Sequence, residues 1–374
     1  MARSIFFYTD SRELGGAENA LLMLAESLDP DAWEVTLLLG EDPGTEALAE
    51  LARGIGLAEV RVPALPLGLE GARRVPRLAS ILRAERPDLF HAHLSSPLAA
   101  KWGLAAAVLA GLPTVATVQL VPAYEPDRLA RLQLRALARR VDRYIAVSHA
   151  IVEELTGRFR WPPAKIEVVH NAVAIERFGD PPPPGLREEL AGEDGAPLIL
   201  TLARLTEQKG HPTLLRAAAE VPEAVFALAG EGHLRGELEA EADRLGVADR
   251  VRFLGHRGDT AALLAACDVF ALPSLYEGSS LAVLEAMAAG RAVVSSAIGG
   301  TAELVEDGET GLLVPPGDPR ALAASLRRLI DDRELRSRIA ERGRRRVETD
   351  FSRQAMAARV ERVYREVLDR RART

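Results

Sequence analysis

Cysteine is almost absent from this chain, and this scarcity excludes two kinds of site. Cys267 is the only cysteine in 374 residues, so the sequence holds neither a disulfide framework nor a cysteine metal cluster. Lysine is also rare, with three among 47 basic residues. The net charge is −7, whereas nucleic-acid-binding domains carry basic patches. We therefore expect no nucleic-acid partner.

A long uninterrupted apolar run is missing as well. Residues 102–121 lack charge over the length of a membrane span, but Gly111 and Pro113 interrupt the stretch, and residues 114–118 alternate like a strand. Near the start, residues 5–8 form an apolar run too short for the core of a signal peptide. The sequence therefore predicts a cytoplasmic protein with at most peripheral membrane contact.

The chain is long enough for two domains. A length of 374 residues exceeds one ordinary core, and 48% hydrophobic with 27% charged residues is typical of a soluble globular protein. Four prolines at 181–184 lie in a stiff segment near 172–196 that separates two series of elements. We predict an α/β protein with a first domain at 1–171, a second at 172–350 and a terminal helix from 351.

Strand-like and helix-like segments alternate in both series, which predicts parallel sheets built from βαβ units. In the first series the predicted strands are 4–9, 33–39, 58–62, 88–93, 114–119, 144–147 and 165–169, and the predicted helices are 17–28, 45–53, 75–85, 97–110 and 126–140. In the second series the predicted strands lie near 198–203, 225–229, 250–254, 268–272, 292–295 and 311–314, with helices between them and from 320 onward.

Residues 273–290 carry a strong functional signal. A glycine-containing turn follows a strand and enters a helix that Ser279 or Ser280 is placed to cap. A helix that begins directly after a strand offers free N–H groups and a positive dipole end, which suit an anion. Glu277 lies in the turn. Glu285 lies inside an otherwise apolar helix, where a carboxylate needs hydrogen-bond donors such as a sugar diol. The alternative is a solvated turn carboxylate and a helix-start charge favoured by the dipole.

The spacing of Glu277 and Glu285 matches the E-x7-E motif of the family-4 retaining glycosyltransferases, and the chain resembles this family over nearly its whole length. The resemblance implies the GT-B fold, in which two tandem Rossmann-like domains face each other across a cleft and the last helix crosses back to the first. It implies transfer of a sugar from a nucleotide diphosphate sugar, such as a UDP- or GDP-sugar, to an acceptor. Glu277 would contact the donor sugar and Glu285 the ribose. The residues between them that belong to the implied donor site are Gly278, Ser279, Ser280 and Leu281.

Two basic residues follow the first strand of the second series. Arg204 and Lys209 are placed to neutralise a diphosphate leaving group, and they match the Arg-x4-Lys-Gly pattern of the family. The alternative is a pair of ordinary surface cations, but the rarity of lysine favours function. After the first strand of the chain, Gly15 and Gly16 open a helix where a diphosphate could approach the backbone; a plain flexible turn is the alternative.

Further site residues follow other strands. In the family, the loops that hold Gly232 and Arg257 flank the nucleotide, although a tight turn alone explains the first loop nearly as well. His91 and His93 share one strand face, and no third His or Cys lies nearby in sequence. We therefore expect no metal and no other cofactor. His93, at the end of its strand, fits a hydrogen bond to the acceptor.

Gln119 departs from the family pattern, because most members have a donor-contacting histidine there. A front-face retaining transfer, in which the leaving phosphate takes the proton of the acceptor, needs hydrogen-bond donors more than a base, and an amide is a donor. The predicted catalytic set is therefore Glu277, Arg204, Lys209 and Gln119.

Several alternatives stay open in the sequence. The helix within 126–144 carries an arginine stripe beside leucines, which fits either an anionic membrane surface or a solvated face. The enzyme could also be a sugar-nucleotide epimerase or hydrolase of the same fold, or the protein could bind nucleotide sugars without turnover. The base, the sugar, the acceptor and the oligomeric state are not encoded in any motif of the chain.

Overall fold

The computed structural model describes residues 2–122, 125–192 and 195–373. Internal contacts divide the chain into two compact units. Unit 1 contains residues 1–171 and 353–374, and unit 2 contains residues 172–352. The last segment of the chain therefore belongs to the same unit as the first.

The described part of unit 1 is built on a parallel sheet of seven strands. The strands are β1 (Arg3–Tyr8), β2 (Trp33–Gly40), β3 (Ala58–Val62), β4 (Leu89–Leu94), β5 (Thr114–Val118), β6 (Arg143–Ala146) and β7 (Ile166–Val168). Their spatial order is β3-β2-β1-β4-β5-β6-β7. The direction of chain progression thus reverses between β1 and β4, as in doubly wound α/β folds.

Helices connect and flank these strands. The helices of unit 1 are α1 (Gly16–Ser27), α2 (Glu46–Gly54), α3 (Leu69–Glu85), α4 (Lys101–Ala110), α5 (Arg128–Ala138), α6 (His149–Gly157) and, from the end of the chain, α15 (Arg353–Ala372). Tyr364 of α15 is fully buried, and its hydroxyl lies 2.6 Å from Nδ1 of His91 on β4. The ring of Tyr364 also packs edge-on against Trp33. The terminal helix therefore supplies part of the core of unit 1.

Unit 2 contains a second parallel sheet, with six strands in its described residues. The strands are β8 (Leu198–Leu202), β9 (Val225–Ala229), β10 (Val251–Gly255), β11 (Val269–Leu272), β12 (Ala292–Ser296) and β13 (Leu312–Val314). Their order, β10-β9-β8-β11-β12-β13, is that of the Rossmann fold. Leu198 and Leu200 pack into one apolar cluster while Ile199 packs into another, so both faces of the sheet are covered.

The helices of unit 2 are α7 (Leu186–Ala191), α8 (His211–Glu220), α9 (Arg235–Arg244), α10 (Thr260–Ala266), α11 (Leu281–Ala288), α12 (Gly299–Leu304), α13 (Pro319–Asp331) and α14 (Arg333–Asp350). The helix α7 lies inside the segment 172–196 that we expected to be a linker. Leu186 and Leu190 of α7 are buried in the core of unit 2, so this part of the chain is not a plain connector.

All thirteen predicted strands are present, with bounds that differ by a residue or two. Three helices of unit 1 differ more. The helix predicted from Pro97 begins at Lys101. The helix predicted from Val75 begins at Leu69 and contains Pro76 in its first half, although proline usually interrupts a helix. No helix is predicted between β6 and β7, yet α6 forms there, with a hydrogen bond from the Ile151 N–H to the capping hydroxyl of Ser148.

The uncharged stretch 102–121 forms a helix, a turn and a strand, as predicted. The helix α4 ends at Gly111, whose φ of 81° is in the left-handed region, and β5 follows. Within the described residues, none of the helices combines the length and the apolar character that crossing a bilayer requires.

Candidate donor-binding site

The candidate site of unit 2 lies at the carboxyl ends of β8 and β11. The strand β8 pairs with β9 on one side and with β11 on the other, so the loops that leave β8 and β11 diverge and open a crevice between them. Ligands of doubly wound sheets bind in this crevice. Arg204 and Lys209 follow β8, and Glu277 follows β11, so the fold brings Glu277 to the loop that carries the two cations.

Lys209 and Glu277 form a charged pair in this crevice. Nζ of Lys209 lies 2.5 Å from Oε1 of Glu277, and only 16% and 7% of the two side chains are exposed. The same carboxylate oxygen accepts a 2.8 Å hydrogen bond from the hydroxyl of Ser274. Glu277 is thus held from two directions. Ser274 has no counterpart in the sequence predictions, because its role depends on the folding of the turn.

Gly210 allows the loops after β8 and β11 to touch. It adopts φ of 68°, and a Cβ at this position would lie 2.0 Å from the carbonyl oxygen of Pro273. The contact is completed by hydrogen bonds from the Leu275 N–H to the Gln208 carbonyl, 2.7 Å, and from the Gln208 amide to the Tyr276 carbonyl, 3.0 Å. The backbone therefore fixes the separation of Lys209 and Glu277.

Arg204 is exposed at the end of β8. Its carbonyl oxygen is 2.9 Å from Nε2 of buried His211, which anchors the backbone beneath the guanidinium. Burial lowers the pKa of His211, so this imidazole is neutral near pH 7. A neutral ring that holds the Arg204 carbonyl must donate through Nε2.

Gly232 lies beside this loop, and its predicted place next to the nucleotide stays a prediction. A Cβ on Gly232 would come within 2.2 Å of the Leu205 carbonyl oxygen, so only glycine allows this approach of the loops after β8 and β9. Arg257, after β10, pairs with Asp259 at 2.6 Å. The Asp259 carboxylate raises the pKa of Arg257, and this pairing restricts the guanidinium to one side of its loop.

The helix α11 begins at Leu281, directly after the turn that carries Glu277. Ser280, one of the two predicted capping residues, accepts the N–H of Val283 at 3.4 Å. Gly278 and Ser279 precede this cap, so their backbone groups lie beside the positive end of the helix. An eight-residue helix with apolar side chains on every face is buried, as predicted.

Glu285 occupies the second turn of α11. It is half-buried by area, but densely packed protein atoms around the carboxyl raise its pKa to about 7, and the Arg177 guanidinium opposes this increase only in part. Since no described residue donates a hydrogen bond to the Glu285 carboxyl, hydroxyl groups of a ligand would stabilise its ionised form.

In unit 1, Gly15 and Gly16 form the start of α1. Gly15 is extended, with φ of −155°, and caps the helix through its carbonyl oxygen, which accepts the Asn19 N–H. Any residue can adopt this conformation. A Cβ at Gly15 would lie 3.3 Å from Oε2 of Glu18, a buried residue of the first turn of α1, so a carboxylate lies beside this helix start.

Gln119 and Asn171 form a buried pair in unit 1. The Asn171 amide donates to Oε1 of Gln119 at 2.9 Å, and the two residues are 5% and 9% exposed. Since Oε1 is directed at Asn171, the NH2 group of Gln119 points away from it. Gln119 is a predicted site residue but Asn171 is not, because the two residues are 52 positions apart and no local pattern links them.

His93 lies deeper than a surface role would suggest. It is 3% exposed, neither ring nitrogen has a hydrogen-bond partner among the described residues, and burial lowers its pKa to about 3. The ring borders a cavity of about 20 Å³ that Gln119 and Asn171 also line, which is enough space for one water molecule. The neutral ring faces this small cavity in the present structure. Its predicted contact with an acceptor stays a prediction.

The helix α5 exposes apolar and basic side chains together. Leu129 and Leu132 are 67% and 65% exposed, and Arg128 and Arg131 are exposed beside them. This surface keeps both interpretations of the arginine stripe open.

The strand order of unit 2 defines a doubly wound α/β protein of the Rossmann type, and the pair of Lys209 and Glu277 lies at its topological switch point, where such folds bind ligands. Residues 185–346 match the family model described as "Glycosyl transferases group 1", and residues 14–177 match the model described as "Glycosyltransferase Family 4". A glycogen synthase of Mycobacterium tuberculosis strain H37Rv is 33% identical over 297 residues, which cover 75% of this chain and 69% of that protein. The chain therefore belongs to the glycosyltransferase family, and its fold class is GT-B.

Two further comparisons add detail. The lipopolysaccharide core biosynthesis glycosyltransferase LpsE of Rhizobium meliloti is 39% identical over 170 residues, which cover 46% of this chain. The chain thus spans about half the length of that relative, 50%. The crystal structure of HepE from Anabaena in complex with UDP and glucose has a TM-score of 0.85 and 26% sequence identity, and the match covers 97% of this chain and 100% of that one.

Proposed function

We propose that this protein transfers a sugar from a nucleoside diphosphate sugar to an acceptor hydroxyl, with retention of the anomeric configuration. The observation that carries the proposal is the pair of Lys209 and Glu277 at the carboxyl ends of β8 and β11. A cation for the diphosphate and a carboxylate for sugar hydroxyls stand there side by side. UDP-glucose is the first donor to test, because HepE is similar to this chain and its structure contains UDP and glucose.

The donor roles follow from the chemistry of each group. Arg204 and Lys209 would neutralise the diphosphate, whose negative charge grows as the glycosidic bond breaks. Glu277 would accept hydrogen bonds from the donor sugar and Glu285 from the ribose diol. The remaining residues proposed to surround the donor are Gly232, Arg257, Gly278, Ser279, Ser280 and Leu281.

The proposed reaction proceeds on one face of the sugar. The bond between the anomeric carbon and the β-phosphate oxygen breaks, and its electron pair stays on the phosphate. The acceptor oxygen forms the new bond from the same side, and its proton passes to the departing phosphate. Glu277 is neutralised by Lys209 and held by Ser274, which favours a positioning role over nucleophilic attack.

For unit 1 the proposal assigns roles by the family resemblance. The N–H groups at Gly15 and Gly16 would bind phosphate oxygens, the Gln119 amide would donate to the donor sugar, and unit 1 would bind the acceptor, with His93 on that side.

We also propose that no metal ion is needed, because Arg204 and Lys209 supply the positive charge. Loss of turnover in a chelator, restored by a divalent ion, would contradict this part.

A peripheral membrane contact through α5 is a further part of the proposal. Exposed Leu129 and Leu132 would enter the interfacial region while the neighbouring arginines bind anionic headgroups. Such a contact would bring the enzyme to a lipid-linked acceptor.

One experiment separates the proposed activity from its alternatives. The protein is incubated with UDP-, GDP- and ADP-sugars, with and without acceptor, and the products are followed by proton NMR. A glycoside whose anomeric coupling matches that of the donor supports the proposal. An isomerised nucleotide sugar would indicate an epimerase, and free sugar alone a hydrolase. A thermal shift without any turnover would indicate a binding protein.

A further inference from the structure

Unit 1 contains a cleft of about 390 Å³ at the carboxyl ends of its own strands. The loops after β1, β2, β3 and β4 line it, so it lies at the switch point of the first sheet, where doubly wound folds bind ligands. Its volume lies within the range of small-molecule sites. The described residues that line it include Tyr8, Asp10, Arg12, Asp42, Leu67 and Ser96.

Two carboxylates of this cleft are held in place by backbone N–H groups. Oδ2 of Asp10 accepts the N–H of Ala100 at 2.7 Å, and Oδ1 of Asp42 accepts the N–H of Gly44 at 2.9 Å. Each carboxylate keeps further lone pairs, which can accept from ligand hydroxyl or ammonium groups. Rigid acceptors of this kind are suited to a ring whose hydroxyls have fixed directions.

The cleft also offers apolar surface and neutral polar groups. Leu67 is 61% exposed at the rim, and Leu65 and Leu98 lie further along the lining. The hydroxyls of Ser95 and Ser96 belong to the same lining. A sugar ring has a C–H face for such aliphatic side chains and hydroxyls for such polar groups, so both parts of the lining match a single ring.

The charge of the cleft disfavours an anionic ligand. Among its described lining residues the side chains that carry charge at neutral pH are Asp10, Asp42 and Arg12, and the guanidinium of Arg12 already pairs with Asp42 at 3.0 Å. The start of α4, which could otherwise bind a phosphate, has the Asp10 carboxylate on the N–H of its capping residue Ala100. A phosphate in this cleft would therefore face net negative charge.

We propose that this cleft binds the acceptor, and that the acceptor unit bound there is a polyhydroxylated ring without negative charge, such as a neutral or amine-bearing sugar or cyclitol. The inference rests on the proposed function, since only a transferase needs an acceptor. It adds the class of acceptor and predicts discrimination against sugar phosphates and uronic acids.

Ligand-observed saturation-transfer NMR on the full chain tests this class without any donor. The probes are methyl β-glucopyranoside, glucosamine and glucose 6-phosphate. We expect the first two to bind and the phosphate to bind about five- to tenfold more weakly, as expected for one uncompensated charge in a solvated cleft. Equal or tighter binding of glucose 6-phosphate, or no binding of any probe, would overturn the inference.

The variant Asp42→Asn tests whether the probes bind in this cleft. It removes one negative charge and frees Arg12, so binding of methyl glucoside and glucosamine should weaken while binding of glucose 6-phosphate strengthens. A folding defect cannot produce changes in opposite directions. Glu85→Gln, an exposed carboxylate near the end of α3, is the matched control and should change neither. Identical probe binding by Asp42→Asn and wild type would refute the assignment of the cleft.

The same samples separate this inference from the proposed function. Thermal shifts with UDP report on nucleotide binding independently of the acceptor. If the protein binds neutral sugars in the predicted order but neither binds a nucleotide nor turns over a donor, the assignment of the cleft is supported and the transferase proposal is refuted. If the protein turns over a donor but prefers anionic acceptors, the transferase proposal is supported and the predicted class of acceptor is refuted.

Discussion

The ammonium nitrogen of Lys209 lies 2.5 Å from Oε1 of Glu277, although 68 positions separate the two residues in the sequence. They meet because β8 and β11 are neighbours in the sheet and because Gly210 lets the two loops touch. Without a donor, the cation proposed for the diphosphate is thus held by the carboxylate proposed for the sugar. Donor binding would place phosphate oxygens and sugar hydroxyls around a pair that is already formed.

The first prediction concerns Lys209. Lys209→Met removes the charge that stabilises the leaving diphosphate and leaves Glu277 without its partner, so kcat/KM should fall by an amount equal to about 2–4 kcal/mol of barrier. Steady-state kinetics with the identified donor measure this. Arg338→Met, at an exposed position of α14, is the control. Unchanged kcat/KM in Lys209→Met would remove Lys209 from the site.

The second prediction concerns the pH dependence of nucleotide binding. Burial raises the pKa of Glu285 to about 7, and ribose hydroxyls would favour the ionised form and lower this pKa. Nucleotide affinity should therefore increase as pH rises through about 7 and level off above it, with proton release near pH 6. Calorimetry in buffers of different ionisation enthalpy measures both effects. Glu285→Gln should abolish the pH dependence of nucleotide affinity. Glu277→Gln should lower turnover but leave this pH dependence unchanged.

The ligand-free protein should show a related effect on stability. The folded pKa of Glu285 exceeds the unfolded value of about 4.3, so the folded state binds more protons between these values. The free energy of unfolding should accordingly lose a contribution as pH rises from about 4.5 to about 7. Glu285→Gln removes this contribution, and Glu223→Gln, at an exposed position, should retain it. A wild-type slope in Glu285→Gln would show that its carboxyl titrates normally.

The third prediction concerns Gln119 and the residue that orients it. Asn171 donates to Oε1 of Gln119, so the Gln119 NH2 group is the one left for a ligand. Gln119→Ala should lose about 1–3 kcal/mol of transition-state stabilisation. Gln119→His should stay active and gain a pH-dependent limb near neutrality, because imidazole titrates there and the amide does not.

Asn171→Asp provides the companion test. A carboxylate cannot donate to Gln119, so the amide would turn its NH2 group inward, and kcat/KM should fall about as far as in Gln119→Ala. Combining the two substitutions should add little, because both act through one group. Fully additive losses would show that Asn171 acts independently. A Gln119→Ala enzyme as fast as wild type would place this side chain away from the chemistry.

The fourth prediction concerns α5. If Leu129 and Leu132 enter a membrane surface, the double variant Leu129→Asp, Leu132→Asp should reduce co-sedimentation with vesicles rich in anionic lipid, and added salt should reduce binding of the wild type. Both leucines are exposed, so folding should be unaffected. The control is Leu109→Asp, at a 51% exposed position on α4. Equal wild-type binding to neutral and anionic vesicles would exclude the proposed contact.

The sequence predicted the strands well because each is a short apolar run between turn residues, a local property. It also placed Arg204, Lys209 and Glu277 at the ends of strands. The sequence did not contain the order of the strands, so it could not predict that Lys209 meets Glu277 or that Asn171 meets Gln119. Ser274 was missed for a different reason, because its contact with Glu277 depends on how the turn that carries both residues folds. The helix α6 was also missed, since it is only nine residues long and Ser148 is its one capping residue.

The buried histidines illustrate a second limit. His91 and His93 both point to one face of β4, but only the structure shows that Tyr364, from the other end of the chain, contacts the first ring. Their depth depends on α15, whose docking partner no local pattern identifies. Burial of a strand residue on a given face follows from what covers that face, and this information is not local.

The docking of α15 has a consequence for biosynthesis. Unit 2 is continuous in the chain, whereas unit 1 lacks its final helix until residues 353–374 have been made. During translation, Trp33 and His91 on the seven-stranded sheet of unit 1 therefore stay uncovered until Tyr364 has been made. By that time all residues of unit 2 have already been synthesised. Domains usually mature in the order of synthesis. Here the unit that is made first would be finished last, and a nascent chain stalled before Tyr364 would expose that surface to chaperones.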